Sequence, residues 1–262
     1  MIPKIIHYCW FSNDPLPKEA QRCIDSWKKY LPDYQIRKWT LKDFDVESVA
    51  FTKEALEQRK WAYLTDYVRH YALYNYGGLY MDSDVLVLKN LNSLMTGDFV
   101  SAVEYHPGKE QIPVIKQRID KNGKRTTDEI RVPGIGVQAA ILAAIPHHEL
   151  NRDCMDFYHN CSLQEVLAKK YTAPIVISHI AEKLGFVYLN KKQNLDKNVV
   201  LFPAKVFANY NQVAKDSYAV HCCAGSWVKK NFKQRIVDCL RMNKLVGKLF
   251  SFLFVKKPDD LY

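Results

Sequence analysis

Asp82 and Asp84 stand one residue apart within Tyr76-Gly77-Gly78-Leu79-Tyr80-Met81-Asp82-Ser83-Asp84-Val85-Leu86-Val87-Leu88, with apolar runs on both sides. An ionised carboxylate beside buried strand needs a partner, because desolvating an unpaired charge is costly. Residues i and i+2 of an extended chain point the same way, so both carboxylates can face one ligand. A hard divalent cation carrying phosphate oxygens suits such a pair. A solvated Asp-Ser-Asp turn is the competing reading.

Further residues with chemical potential lie upstream and far downstream. Asp66, Arg69 and His70 fall at i, i+3 and i+4, hence on one helix face. They read either as a local ion pair of small value or as the polar lining of the cleft into which Asp82 and Asp84 point. Trp10 is either a core tryptophan or a stacking platform for a nucleobase. His221 ends the apolar stretch Tyr218–Val220 and precedes Gly225-Ser226-Trp227, so it is a core histidine or a third metal ligand.

The elements that must position these residues alternate between strand and helix. Lys4–Trp10 is predicted as a first strand, Pro17–Tyr30 as a helix and Tyr34–Trp39 as a second strand. A helix over about Thr52–Arg59 leads to a stronger one, Trp61–Tyr76, capped by Gly77-Gly78. The acidic strand end follows. This alternation predicts an α/β architecture with a mostly parallel sheet, where ligands sit at the carboxyl ends of strands. Asn122-Gly123 signals a hairpin between Lys116–Ile119 and Arg125–Thr127. Helical patterns are read at Val137–Ala144, Glu149–Tyr158 and Pro174–Leu184, and short strands at Phe186–Leu189, Val199–Phe202 and Tyr218–His221.

The chain has 262 residues, 48% hydrophobic and 25% charged, ordinary for a globular protein with a substantial core. Its start lacks a signal-peptide core and no run approaches membrane-spanning length, so a cytoplasmic location is expected. Seven cysteines without a CxxC pair support neither a disulfide framework nor a zinc site. The net charge of +10 is uneven: residues 229–262 carry +6 and the preceding 228 residues +4. A basic tail favours anionic partners.

Taken together, Ile2–Trp10, Ser26-Trp27, the Asp66-x-x-Arg69 helix, Tyr74–Asp84, and His221 with Ser226-Trp227 resemble a family of retaining glycosyltransferases with a DXD motif. That family, number thirty-two, includes capsular-polysaccharide and yeast α-mannosyl transferases and is distantly similar to the clostridial glucosylating toxins. The resemblance implies a GT-A-like nucleotide-sugar-binding fold over residues 1–228; the residue pattern of 229–262 reads as a basic amphipathic helix following it. The resemblance also implies a nucleotide-sugar donor and Mn²⁺ or Mg²⁺, with Asp82, Asp84 and His221 as metal ligands. The implied donor contacts are His7, Trp10, Asp66, Arg69, Tyr80, Asp82, Ser83, Ser226 and Trp227, with Asp66, Arg69 and Asp84 carrying catalysis. Trp10 would hold the base and Ser226-Trp227 the diphosphate. Residues 105–135 match nothing in the family pattern, and acceptor identity is expected to lie there.

The expected activity is transfer of a hexose, from a UDP-sugar first and GDP-mannose second, to a surface polysaccharide or lipid-linked glycan. Same-face attack is favoured, because no residue announces itself as a nucleophile. A nucleotide-sugar hydrolase would share every motif. A nucleic-acid-binding module is disfavoured, since the positive excess sits in the tail and no such signature appears. The tail, with Ile236, Leu240, Leu245, Leu249 and Phe252 at helical spacing among lysines and arginines, reads as a packed C-terminal helix or as a peripheral anchor on an anionic membrane.

Overall fold

The structure is a computed structural model and describes residues 1–223. Ser226, Trp227 and the expected helix over 229–262 lie outside the described residues.

The N-terminal part follows the alternation the sequence predicts: β1 (Ile5–Cys9), α1 (Lys18–Tyr30), β2 (Gln35–Trp39), α2 (Ala50–Glu57), α3 (Trp61–Tyr76), β3 (Gly78–Met81) and β4 (Val85–Val87). It continues through β5 (Phe99–Tyr105), α4 (Ile112–Arg118), β6 (Ile135–Val137), β7 (Ile141–Ala144), α5 (Glu149–His159), α6 (Leu163–Lys169) and α7 (Ala173–Glu182). The last described elements are β8 (Gln193–Leu195), β9 (Val199–Phe202), β10 (Phe207–Asn209) and β11 (Ala219–His221).

The main sheet has the order β2-β1-β3-β7-β5-β9-β8, with β6 attached to β5. β1, β2, β3, β5 and β9 run one way; β7, inserted between β3 and β5, runs the other. The expected α/β class with a mostly parallel central sheet is what the chain adopts. A three-stranded sheet, β10-β11-β4, lies beside it. No described helix is long and apolar enough to cross a membrane. Cys9, Cys23, Cys154, Cys161, Cys222 and Cys223 are all free thiols.

Strand alternation divides the core into two layers. Phe99 and Val103 of β5 and Tyr80 of β3 pack with α2, α3 and α5–α7 on one face. Val100, Ala102, Leu79 and Met81 pack with α1 and the small sheet on the other. This period of two is what a strand buried on both faces requires.

Two sequence expectations fail for related reasons. Val137–Ala144 is not a helix but the end of β6 and the whole of β7. A short apolar run reads the same as buried helix or buried strand, and here pairing with β3 and β5 decides. Phe186–Leu189 is not a strand, because the buried Gln193 side chain takes over its backbone groups. Its Oε1 accepts from Val187 N–H at 3.0 Å, and its Nε2 donates to the Val187 and Leu189 carbonyls at 2.9 and 3.0 Å. The Asn122-Gly123 turn exists, but its first arm is α4 and one isolated bridge, Ile119–Arg125, replaces a hairpin ladder.

That turn is pinned to α7 by a bidentate pair. Arg125 Nε and Nη2 donate to the two Glu182 oxygens at 2.7 and 2.6 Å, and Tyr188 OH donates at 2.8 Å. Burial alone would raise the Glu182 carboxyl, but these hydrogen bonds, with His179, hold it down at about 2 against an ordinary 4.5. A depressed acid pKa stabilises the fold above the unfolded value and the benefit disappears as pH falls through the folded one. Stability should therefore drop between pH 4.5 and about 2. Glu182→Gln is expected to flatten that acid limb and to cost roughly 1–3 kcal/mol near neutrality. Denaturant melts across this pH range check it; an unchanged acid limb would contradict it.

Candidate active site

The chain reaches the acidic motif through a stop that only glycine tolerates. α3 ends at Gly77, with φ 61° and ψ −167°, and Gly78 follows at φ 104°. A Cβ on Gly78 would meet the Ile5 carbonyl oxygen at 2.5 Å, so β3 lies against β1 only because that atom is missing. β3 then carries Tyr80 and ends at the motif. Asp82 N–H is tied to Ala140 O at 2.9 Å, and Val85 N–H folds back on Asp82 O at 3.0 Å. The motif is thus a tight turn rather than a continuous extended strand. After it, β4 leaves the main sheet for the small one. α1 holds the exit: Trp27 Nε1 donates to Val85 O at 2.7 Å, and Val87 N–H donates to Ser26 Oγ at 2.9 Å.

β4 pairs with β11 so that Val85 stands opposite His221. That register brings the distant histidine to the carboxylates. One donor atom each from Asp82, Asp84 and His221 lie within 4.8 Å of one another. His221 Nε2 is buried, is 3.5 Å from Asp84 Oδ1, and has no hydrogen-bond partner among the described residues. Burial pulls the imidazole down, but the Asp84 charge outweighs it and sets the pKa well above its ordinary value. A buried imidazole nitrogen facing two carboxylates is a donor set that fits a divalent cation. Two carboxylate oxygens and one imidazole suit Mn²⁺ or Mg²⁺.

The Asp66-x-x-Arg69 segment lies behind the motif, and both residues line the same cleft. Arg69 Nη2 donates to Asp66 Oδ1 at 2.6 Å and Nη1 to Ala139 O at 2.7 Å, with Asp82 Oδ1 3.7 Å away. Its guanidinium sits 4.9 Å from the Tyr80 ring centroid, and Tyr80 OH donates to Asp82 Oδ1 at 2.7 Å. Arg69 therefore orders two carboxylates with one planar fork, which a lysine could not do. Burial is the main cause of an Asp66 carboxyl raised to about 6, offset in part by Arg69. An anion held at such a cost marks a functional cleft more often than a structural pair.

The cleft measures about 890 Å³, within the range of small-molecule sites. Trp10 and Ser83 line it, and Trp10 is anchored by its Nε1 donating to Asp14 O at 2.8 Å. His7 does not line it. This histidine is fully buried, and its Nδ1 accepts from Trp39 Nε1 at 3.1 Å. The opposite nitrogen must then carry the proton it donates to Gly77 O, at 2.9 Å. Burial lowers its pKa to about 4, so it is neutral. The structure places His7 as a brace for the Gly77-Gly78 stop instead of a donor contact. His7→Ala is expected to lower stability by about 1–3 kcal/mol through the orphaned Trp39 and Gly77 groups. Nucleotide affinity per folded molecule should be kept, as parallel melting and calorimetry would show.

Several cleft residues escape sequence reasoning. Gln138, 2% exposed, accepts from Ala140 N–H through Oε1 at 3.0 Å and so shapes the backbone that holds Asp82 and Arg69. The N-terminus of α7 enters the cleft at Thr172–Pro174, where the Ala173 backbone N–H hydrogen-bonds Asp66. Glu104, His106 and Arg131 are lining residues as well. Of these, Glu104 alone carried a signal, being a charge inside the apolar run Phe99–Tyr105.

Residues 17–100 match the family described as "Glycosyltransferase sugar-binding region containing DXD motif". Inositol phosphoceramide mannosyltransferase 2 of Schizosaccharomyces pombe is 28% identical over 146 residues, covering 47% of this chain and 40% of that protein. Inositol phosphoceramide mannosyltransferase 3 of the same organism is 33% identical over 102 residues, covering 36% and 27%. The chain thus matches well under half the length of these curated relatives. Among solved structures, the PaToxG glycosyltransferase is similar at a TM-score of 0.49 and 16% identity, over 70% of this chain and 69% of that one.

Proposed function

We propose that the chain is a metal-dependent retaining glycosyltransferase. It moves a hexose from a nucleotide sugar to a surface-polysaccharide or lipid-linked glycan acceptor. UDP-hexose is the favoured donor and GDP-mannose the second, the latter supported by the similarity to the two Schizosaccharomyces pombe mannosyltransferases. The observation that carries the reading is the convergence of Asp82, Asp84 and His221 in a cleft at the C-terminal edge of the sheet.

Asp82, Asp84 and His221 would hold Mn²⁺ or Mg²⁺, which when bound supplies the positive charge that lets a diphosphate leave. The chain supplies position. Arg69 fixes Asp66 by a hydrogen bond and faces Asp82 Oδ1 as an ion pair, and Tyr80 OH donates to that same Asp82 oxygen. Asp66, buried and anionic at a cost, regains solvation by accepting hydrogen bonds from donor-sugar hydroxyls. Trp10 offers its indole face at the cleft mouth as the base platform. Holding the sugar so that departure and attack share one face is chiefly an effect of orientation.

A donor panel with Mn²⁺ tests this. UDP-glucose, UDP-galactose and GDP-mannose are supplied with and without a glycan acceptor, and glycoside and released nucleotide are quantified. At least one donor should yield glycoside. Trp10→Ala should lose about 1–3 kcal/mol of nucleotide affinity. Nucleotide release that never produces glycoside would instead make the chain a hydrolase, and unchanged affinity in the variant would return Trp10 to the core. Peripheral attachment to the inner membrane face through residues 229–262 is part of the same proposal, and liposome flotation of the full chain checks it.

A further inference from the structure

We infer that Glu104, oriented by His106, forms the acceptor subsite of the cleft and accepts hydrogen bonds from hydroxyls of a sugar acceptor. The inference rests on the transferase reading above. It begins with an anomaly in β5, whose residues Phe99–Val103 are all buried and, apart from Ser101, apolar. A glutamate follows within the same strand, its side chain 16% exposed. Such a carboxylate requires polar company. Among the described residues its hydrogen-bond partner is His106 Nε2, 2.9 Å from Oε1. The imidazole is raised in turn, first by that hydrogen bond. The other carboxylate oxygen has no protein donor of its own among the described residues, and Glu104 lines the cleft.

Placement supports a role with a second substrate. β5 runs parallel to β3, so Glu104 and the DXD turn lie at the same edge of the sheet, separated by β7. His106 and Glu104 line the same cleft as the metal-ligand cluster without being part of it. The converging donor atoms are those of Asp82, Asp84 and His221. The donor-side polar groups are occupied with one another: Arg69 with Asp66 and Ala139, and Tyr80 with Asp82. Asp14, in the loop after β1, and Glu104 are the remaining carboxylates of the cleft lining, and of the two Glu104 stands on the main sheet. It sits on a strand laddered to β6, with Glu104 opposite Gly136, so its backbone is rigid. A carboxylate accepts only, and a glycan offers hydroxyl donors.

The test is a partition experiment on the full chain with Mn²⁺ and whichever donor the wild type consumes. Hydrolysis of donor by water and transfer to a panel of methyl hexosides are measured together. Glu104→Gln should lower the ratio of transfer to hydrolysis and raise the KM for glycoside, the ratio falling about 10- to 100-fold as expected for hydrogen bonds to a charged group. His106→Gln, which retains a donor toward Oε1, should stay closer to wild type in glycoside KM than His106→Leu. An unchanged ratio, whether both rates fall together or neither does, overturns the inference. No consumption of any nucleotide sugar by the wild type overturns the transferase reading and this one with it.

Discussion

Asp84→Asn is expected to lower metal-dependent turnover by about three orders of magnitude, roughly 4 kcal/mol of barrier. The substitution removes one negative charge from a cluster whose donor atoms lie within 4.8 Å of one another. It preserves shape, so the turn closed by Val85 N–H on Asp82 O and the β4–β11 ladder should persist. It also removes the charge that keeps His221 protonated. Circular dichroism should be native while Mn²⁺-dependent nucleotide binding is lost. Turnover close to wild type in this variant would remove Asp84 from the metal site.

Arg69→Ala is expected to produce the largest loss of stability of any cleft substitution, on the order of 3–5 kcal/mol, as for other buried charges left without a partner. For a chain of this size that corresponds to a fall in melting temperature of very roughly 10 °C. The guanidinium is 4% exposed and engages Asp66, Ala139 O and Asp82 together. Its removal strands two carboxylates and one carbonyl. Adding Asp66→Asn to Arg69→Ala should recover part of the loss, because Asp66 is already raised to about 6 by burial even with its partner present. Arg69→Lys should rescue little, since one ammonium cannot span three acceptors. Thermal melts of the three variants beside the wild type decide the matter. Full rescue by lysine would mean that charge alone counts.

Much of this architecture can be read from residue order, and the failures have common physics. Trp61–Tyr76 is matched residue for residue, because a long helix without Gly or Pro meets two glycines whose positive φ angles no other residue adopts cheaply. Asp66, Arg69, Asp82 and Asp84 are visible as charges next to apolar sequence. Their partners are not. Ala139 and Ala140 act through backbone groups, and Gln138 looks like any polar residue until β7 is inserted between β3 and β5. The same insertion explains why Val137–Ala144 resembles a helix and forms strands. His7 misleads in the opposite direction: it stands next to the donor cleft in sequence, but its ring is taken up in the core by Trp39 Nε1 and the Gly77 carbonyl. His221 is findable as a strand-end histidine, while its meeting with Asp84 depends on the β4–β11 register, which no local pattern encodes.

Calorimetric titration of UDP, and separately GDP, into the full-length chain tests the central claim most directly. It is run with Mn²⁺, with Mg²⁺ and with excess EDTA. The account predicts that at least one nucleotide binds in the presence of metal, that EDTA abolishes the signal, and that Asp84→Asn abolishes it in Mn²⁺. Failure of both nucleotides to bind with either metal, or binding of equal strength in EDTA, would contradict it.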